Sequence, residues 1–210
     1  MVNEDFIYKK QEWKPGNMLY PVPAVMVTAA DKKGRDNIIT VAWTGTVCTN
    51  PPMVYISIRP ERFSYHMIVE SGEFVINLTT RNLAYATDYC GVKSGRDVDK
   101  FKETRLTPQA SRYVKAPGVE ESPVNIECRV AEVKELGSHD MFIAKVMGVT
   151  IDNQYMDDRG KFNLNASGLV SYSHGEYFEL GKKLGSFGYT VKKPVKRSND
   201  KNRTSRRKKA

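Results

Sequence analysis

Residues 37–64, NIITVAWTGTVCTNPPMVYISIRPERFS, put two strand-like runs, a Pro-Pro pair and two arginines into one short segment. The first run, 38–48, is rich in Thr and in small or branched side chains. The second, 53–58, alternates as a half-buried strand does. Pro51 and Pro52 cannot continue a sheet ladder, so the chain must turn between the runs. Arg59 and Arg62 then lead into 62–71, where Phe63, Met67 and Ile68 have the spacing of a short helix.

The flanking sequence extends this into a hairpin-rich barrel. Residues 22–30 read as a buried strand, 31–35 as a turn, and 37–48 as one long strand leading to the proline turn; 73–79 return to strand. Residues 81–101 look helical in two pieces split by glycines 91 and 95. A second β segment spans 123–152: Val124, Ile126, Cys128 and Val130 alternate with polar neighbours, Gly137-Ser138 forms a hairpin turn, and His139 and Asp140 open the partner strand. Residues 155–175 are loop-like, and 1–20 read as a docking arm anchored by Trp13 and Tyr20. No repeat occurs and composition does not change before Lys192, so one domain, 1–191, with a tail, 192–210, is the simplest division.

A chain of 210 residues can bury roughly 70% of its unfolded surface without a disulfide framework. The three cysteines, Cys48, Cys90 and Cys128, show neither CxxC nor zinc spacing and fit a reducing compartment. No apolar run approaches the roughly 20 residues that cross a bilayer, and MVNEDFIYKK lacks the basic-then-apolar order of a signal peptide, so a soluble, cytoplasmic protein without membrane contact is expected. The net charge of +9 sits entirely in residues 192–210, where ten Lys or Arg face one acid; over the rest of the chain the charges cancel. A nucleic-acid binder is expected to carry its basic face on the folded domain, so the tail reads as solvated and disordered.

These blocks, with VPAVMVTAAD (22–31), GEFVINLTT (72–80), SGRDVDKF (94–101), LGSHDMFIAKV (136–146) and LGKKLGSFGY (180–189), resemble in order and spacing the flavin reductase-like proteins, a family that includes the flavoredoxins. The resemblance covers about residues 21–189. It implies a mainly β fold with short helices, an FMN-binding split β-barrel of Greek-key type, and a homodimer.

FMN demands an anion site for its phosphate and a flat slot whose edges hydrogen-bond the ring. Arg59 and Arg62 flank a helix N-terminus and suit phosphate geometry, with the hydroxyls of Ser64 and Tyr65 nearby; either arginine alone would pass as a surface cation. Thr40, Ala42, Trp43, Thr44, Cys48 and Thr49 combine small side chains and hydroxyls that let backbone amides approach a flavin edge, and the resemblance assigns Thr40, Thr44, Cys48 and Thr49 to the pocket. Trp43 is open between core and lid, Asn77 between pocket wall and buried turn residue, and Phe187 between pocket cover and barrel plug. Lys100 and Phe101 lie in a segment that in similar proteins reaches toward the flavin, sometimes from the neighbouring subunit; a solvated helix face is the alternative for Lys100. No Lys or His close in sequence would activate the Cys48 thiol, which reads as a pocket-lining residue.

His139, beside Asp140 at a hairpin mouth, is open between a structural role and a contact with flavin or a nicotinamide carboxamide. His66 and His174 read as structural or surface residues, and no metal-ligand spacing links the three. There is no G-x-G-x-x-G, no P-loop and no G-x-S-x-G, so a nicotinamide would have to bind over the exposed flavin face. The sequence thus points to an FMN-dependent reductase using NADH or NADPH. An electron carrier serving a redox protein partner, or a binding protein acting through the basic tail on nucleic acid or anionic surfaces, are the alternatives.

Overall fold

The computed structural model describes residues 10–192. Its strands are β1 (Val22–Pro23), β2 (Val25–Ala30), β3 (Asp36–Val41), β4 (Thr44–Thr49), β5 (Pro52–Ile58), β6 (Glu73–Leu78), β7 (Pro108–Gln109), β8 (Gly118–Val119), β9 (Val124–Glu135), β10 (Asp140–Ile151), β11 (Val170–Ser173) and β12 (Glu176–Glu179). The helices are α1 (Phe63–Ser71), α2 (Ala84–Val92) and α3 (Lys100–Thr104). Seven strands form one antiparallel sheet in the order β3-β2-β6-β9-β10-β5-β4.

The two edge strands of that sheet, β3 and β4, are consecutive in the chain and separated only by Ala42 and Trp43. A sheet whose edges are tethered this closely has to curl until they meet, and curling into a barrel removes the unpaired edges. A bond of 2.8 Å from the Ser57 amide to the Trp43 carbonyl carries the β4–β5 ladder one residue back into this corner. Residues 37–48 are therefore two strands at opposite edges, where sequence suggested one. Thr and small branched side chains fit both strands, and nothing in their pattern marks the corner. Pro52 opens β5, the first-residue position where a strand tolerates proline.

Val25, Val27 and Ala29 of β2 point into the barrel with Ile39, Val41, Ile56, Ile58, Phe74, Ile76, Cys128, Phe142 and Ala144, and Met67 and Ile68 of α1 join the same cluster. On the other face of β2 and β3, Met26 and Ile38 pack against Leu83, Ala86 and Cys90 of α2 and its approach, and against Phe101 and Leu106 of α3 and beyond. Burial on both faces is why VMVTAA is continuously apolar rather than alternating. Helix α1 stops at Gly72, whose left-handed backbone (φ 68°) lets its amide return to the Ile68 carbonyl at 2.8 Å.

The two helical pieces expected in 81–101 become a short 3-10 turn (Arg81–Leu83) leading into α2, and α3, which starts only at Lys100 with Asp99 capping the Lys102 amide. The loop-like stretch 155–175 contains β11, which pairs with β1 and β12 in a three-stranded sheet that sequence reading missed. Residues 108–119 are strapped to the barrel: the buried Glu127 carboxylate accepts from the amides of Arg112 and Tyr113 (3.1 and 2.6 Å), and Glu73 accepts from that of Lys115 (2.9 Å). Two compact units divide the chain, Met1–Leu180 and Gly181–Ala210. The expected basic tail lies, apart from Lys192, outside the described residues. No helix among the described residues is long and apolar enough to cross a membrane.

Candidate functional site

Three clefts connect along the corner where β3 hands over to β4. The first, ≈ 260 Å³, is lined by Asn37 and Ile39 of β3, by Glu61–Ser64 at the start of α1, by Cys90 and Gly91 of α2, by Lys93–Arg96, and by Lys100. The second, ≈ 130 Å³, shares Ile39 and Arg62 with it and adds Thr40, Ala42, Trp43, Arg59 and His139. The third is broader, ≈ 560 Å³, and shares Ala42, Trp43, Ser57 and His139 with the second. Its remaining walls are Gly16–Leu19, Val22, Thr44, Tyr55, Leu136 and Ser138. A narrow cationic end therefore opens through a waist into a wide slot with no charged side chain in its lining.

The cationic end follows from local chemistry. Arg62 is the N-cap residue of α1, no side chain caps the first turn, and no acid lies in it; the Tyr65 amide turns back to the Arg62 carbonyl at 3.0 Å, which leaves the amides of Phe63 and Ser64 for an external anion. Asn37, buried, donates to the Ser64 hydroxyl at 2.7 Å and fixes it in the cleft wall. The Arg35 guanidinium stacks 4.5 Å from the Phe63 ring centroid and donates to the Gly95 carbonyl. Arg96 donates to the Glu61 carbonyl at 3.2 Å. A side chain on Gly95 would place its Cβ 2.2 Å from Asn37 Oδ1 and 2.7 Å from Phe63 Cδ1, so only glycine lets the 93–96 loop approach this closely. Lys100, 5% exposed, donates from Nζ to the carbonyls of Ile38 and Cys90, each at 2.7 Å. Burial pushes its pKa down to about 8.

At the waist, the Thr40 hydroxyl is committed to the Thr87 carbonyl, and Arg59 pairs with Glu61 at 3.5 Å. His139 sits in the β9–β10 turn with Nδ1 2.9 Å from the Ser138 hydroxyl. Burial, then the Arg59 charge, hold its imidazole below the usual value, so it is neutral at pH 7. In the slot, the Thr44 hydroxyl is committed to the Tyr55 carbonyl at 2.7 Å, and Tyr20 packs 6.2 Å from Trp43.

Residues 17–181 match the flavin reductase like domain. The chain belongs to that family. Among solved structures, flavoredoxin of Desulfovibrio vulgaris (Miyazaki F) is 32% identical, with a TM-score of 0.81 over 88% of this chain and 100% of its own. A Shewanella frigidimarina protein described as a flavin reductase with a split barrel domain is 24% identical (TM-score 0.72; 80% and 86% covered). An FMN-binding protein from Thermus thermophilus is 23% identical (TM-score 0.69; 85% and 98% covered). The last two share the fold, and the split barrel expected from sequence is the architecture observed.

Within this flavin reductase-like domain, the structure brings Arg62, Ser64 and Lys100 to the cationic end, Thr40, Arg59 and His139 to the waist, and Ala42, Trp43 and Thr44 to the slot. Other expected residues lie elsewhere. Cys48 and Thr49 pair with Met53 and Pro52 at the far tip of the β4–β5 hairpin, about 13 Å of strand beyond Thr44, and line none of the three clefts. Tyr65 turns its hydroxyl inward to Asp140 at 2.6 Å, and Asn77 is fully buried, tying Met26, Val119 and Asn125 together. Phe101 is core, packed in the cluster under α2, and Phe187 belongs to the second unit, where its side chain is exposed.

Sequence reading missed Asn37, Lys93, Gly95 and Arg96 at the cationic end, and Met18, Tyr55, Ser57 and Leu136 in the slot. The glycine inside SGRDVDKF was the available signal for the first group. The second comes together only when arm, corner and β9–β10 turn meet in space.

Proposed function

We propose that this protein is an FMN-binding oxidoreductase whose groove holds the phosphate at the cationic end and the isoalloxazine in the slot. The single observation that carries this is the groove's division of chemistry: helix N-terminal amides, Arg62, Ser64 and Lys100 at one end, and a wide uncharged slot walled by Trp43, Tyr55 and Leu136 at the other. The chain's similarity to a flavoredoxin and the FMN-binding character of a Thermus protein of the same fold support it.

When bound, FMN supplies the redox chemistry, and the protein sets distance, orientation and electrostatics. Arg62 and the first turn of α1 bind the anionic end and fix how far the ring enters the slot. Trp43, Tyr55 and Leu136 exclude water from one side of it. Neutral His139 offers a hydrogen bond at the ring edge without adding charge. No acid–base pair stands in the slot lining, so the redox chemistry there would be the cofactor's and the side chains would serve to hold and orient it.

NADH or NADPH serves as donor in this reading, with free flavin or a redox protein as acceptor. The uncharged slot favours a second version, a carrier that exchanges electrons with another redox protein, because nothing in its lining would grip a dinucleotide's diphosphate. The proposal includes a homodimer, for which exposed Tyr85 and Val92 on α2 give apolar surface; sedimentation velocity tests it.

Titrating the protein with FMN and following flavin fluorescence tests the core claim, and an absence of saturable binding would sink it. Anaerobic addition of NADH or NADPH to the FMN-loaded protein then separates the versions. Bleaching of the band at about 450 nm, a general flavin property, marks the reductase; an unchanged band marks the carrier.

A further inference from the structure

Among the described residues, Lys100 has no carboxylate in ion-pair contact. It is nearly fully buried, and its ammonium carries three donors, of which two go to carbonyls on different elements, Ile38 on β3 and Cys90 on α2. Carbonyls satisfy hydrogen bonds but do not neutralise charge, so the ammonium form bears a desolvation cost that two dipoles only partly offset.

The groups around it do not supply the missing anion. From α1, Arg62 lines the same cleft and adds positive charge. From α2, the Cys90 thiol is pushed up to about 11 by burial and is therefore neutral at working pH. The following loop contributes Lys93 and Arg96, both cationic, and β3 contributes the neutral amide of Asn37; exposed Asp36 of β3 lines a different cavity with Asp99. On its own helix, Asp99 caps the Lys102 amide and Glu103 is exposed. Glu61 is the one carboxylate in the cleft lining, and it is exposed and paired with Arg59 at 3.5 Å. Among the described residues Lys100 takes part in no ion pair.

We propose that Lys100 couples FMN binding to proton uptake, making the site selective for the phosphorylated flavin in a pH-dependent way: the phosphate entering this cleft is the counter-ion that lets the buried amine hold its proton. This rests on the reading that FMN binds here with its phosphate at the cationic end. The balance is simple. Above neutral pH the free protein holds a growing share of neutral amine; on binding, an N–H bond forms on that amine as the buffer acid's bond to the proton breaks, leaving its conjugate base, and the ammonium pairs with the phosphate dianion without any covalent change in the flavin. Riboflavin carries the same ring without the phosphate and takes up no proton at this position.

The downward displacement of Lys100 to about 8 in the free protein sets the window. If the phosphate restores the ordinary value for an amine, linkage makes FMN affinity fall between pH 7 and 9.5 by roughly 30-fold.

The experiment measures FMN and riboflavin dissociation constants of the full chain at pH 7.0 and 9.5 by flavin fluorescence. Calorimetry in two buffers of different ionisation enthalpy counts the protons. The expected result is a weakening of FMN that riboflavin does not share, with nearly one proton taken up per FMN at pH 9. In Lys100→Arg, whose guanidinium cannot lose its charge, the FMN constant should be the same at both pH values whatever its absolute size. FMN binding that is equal at both pH values in the wild type overturns the inference and leaves the FMN site standing. Parallel weakening of FMN and riboflavin overturns it too, since the loss is then of the ring site. No FMN binding at either pH removes the proposed function and this inference with it.

Discussion

Replacing Gly95 with alanine probes how tightly the cationic end is built. The added methyl carbon would lie 2.2 Å from Asn37 Oδ1, 2.6 Å from Asn37 Cγ and 2.7 Å from Phe63 Cδ1, where carbon contacts settle at about 3.5–4.0 Å. Asn37 has to retreat by about 1 Å or more, and its 2.7 Å bond to the Ser64 hydroxyl cannot survive that movement. Overpacking costs about 1–3 kcal/mol and the lost buried hydrogen bond a similar amount, so Gly95→Ala should destabilise the protein by about 3 kcal/mol. In a chain of this length that is a fall in Tm of about 6–12 °C by thermal melting. Because the displaced groups form the cleft wall, FMN affinity should drop by about tenfold or more, while riboflavin binding changes little. In an Asn37→Ala background the nearest obstructing atoms, Oδ1 and Cγ, are gone, so the same glycine replacement should cost at least about 1 kcal/mol less. A Gly95→Ala protein that melts within about 2 °C of wild type would show that the loop yields freely and that close approach is not why glycine is needed there.

Three further outcomes follow from polar and titratable side chains held in the fold. Glu127→Ala leaves the Arg112 and Tyr113 amides without their acceptor and should cost about 2–3 kcal/mol, with hydrogen exchange at both amides at least about tenfold faster. The Tyr65 phenol is pushed up to about 12, first by its bond to Asp140. That contribution is intact below pH 10 and is lost as pH climbs toward 12, so in denaturant titrations wild type should lose more stability than Tyr65→Phe over that window. Burial pushes the Cys90 and Cys128 thiols up to about 11 and about 12, so iodoacetamide at pH 8 should label only half-buried Cys48, as read by mass spectrometry, and leave FMN binding unchanged because Cys48 lies at the hairpin tip.

Several parts of the site were legible because their cause is local. Arg62 next to a helix start marks a candidate anion site once the family resemblance is added, since the amides that would join it belong to the same few residues. The small residues around Trp43 flag a wall that a planar ligand can approach. Cys48 and Thr49 look the same in sequence, four and five residues past Thr44, yet a strand advances about 3.3 Å per residue and carried them out of reach. Tyr65 and Asn77 were ambiguous for another reason. Their polar atoms can serve a ligand or the fold equally well, and only the partners, Asp140 for one and Met26, Val119 and Asn125 for the other, show that the fold took them.

By itself the amino-acid order determined a barrel of hairpins with a helix entered through arginines, because strand alternation, proline turns and helix spacing are written within neighbouring residues. The corner at Ala42 and Trp43 was decided only in three dimensions, since curling a sheet until its first and last strands meet depends on pairings that span the whole chain. The same closure gathered Asn37, Arg62, Gly95 and Lys100 into one cleft, and it left a buried ammonium between two carbonyls that, among the described residues, forms no ion pair. No local pattern encodes that isolation, because it is a property of what all the surrounding elements fail to bring.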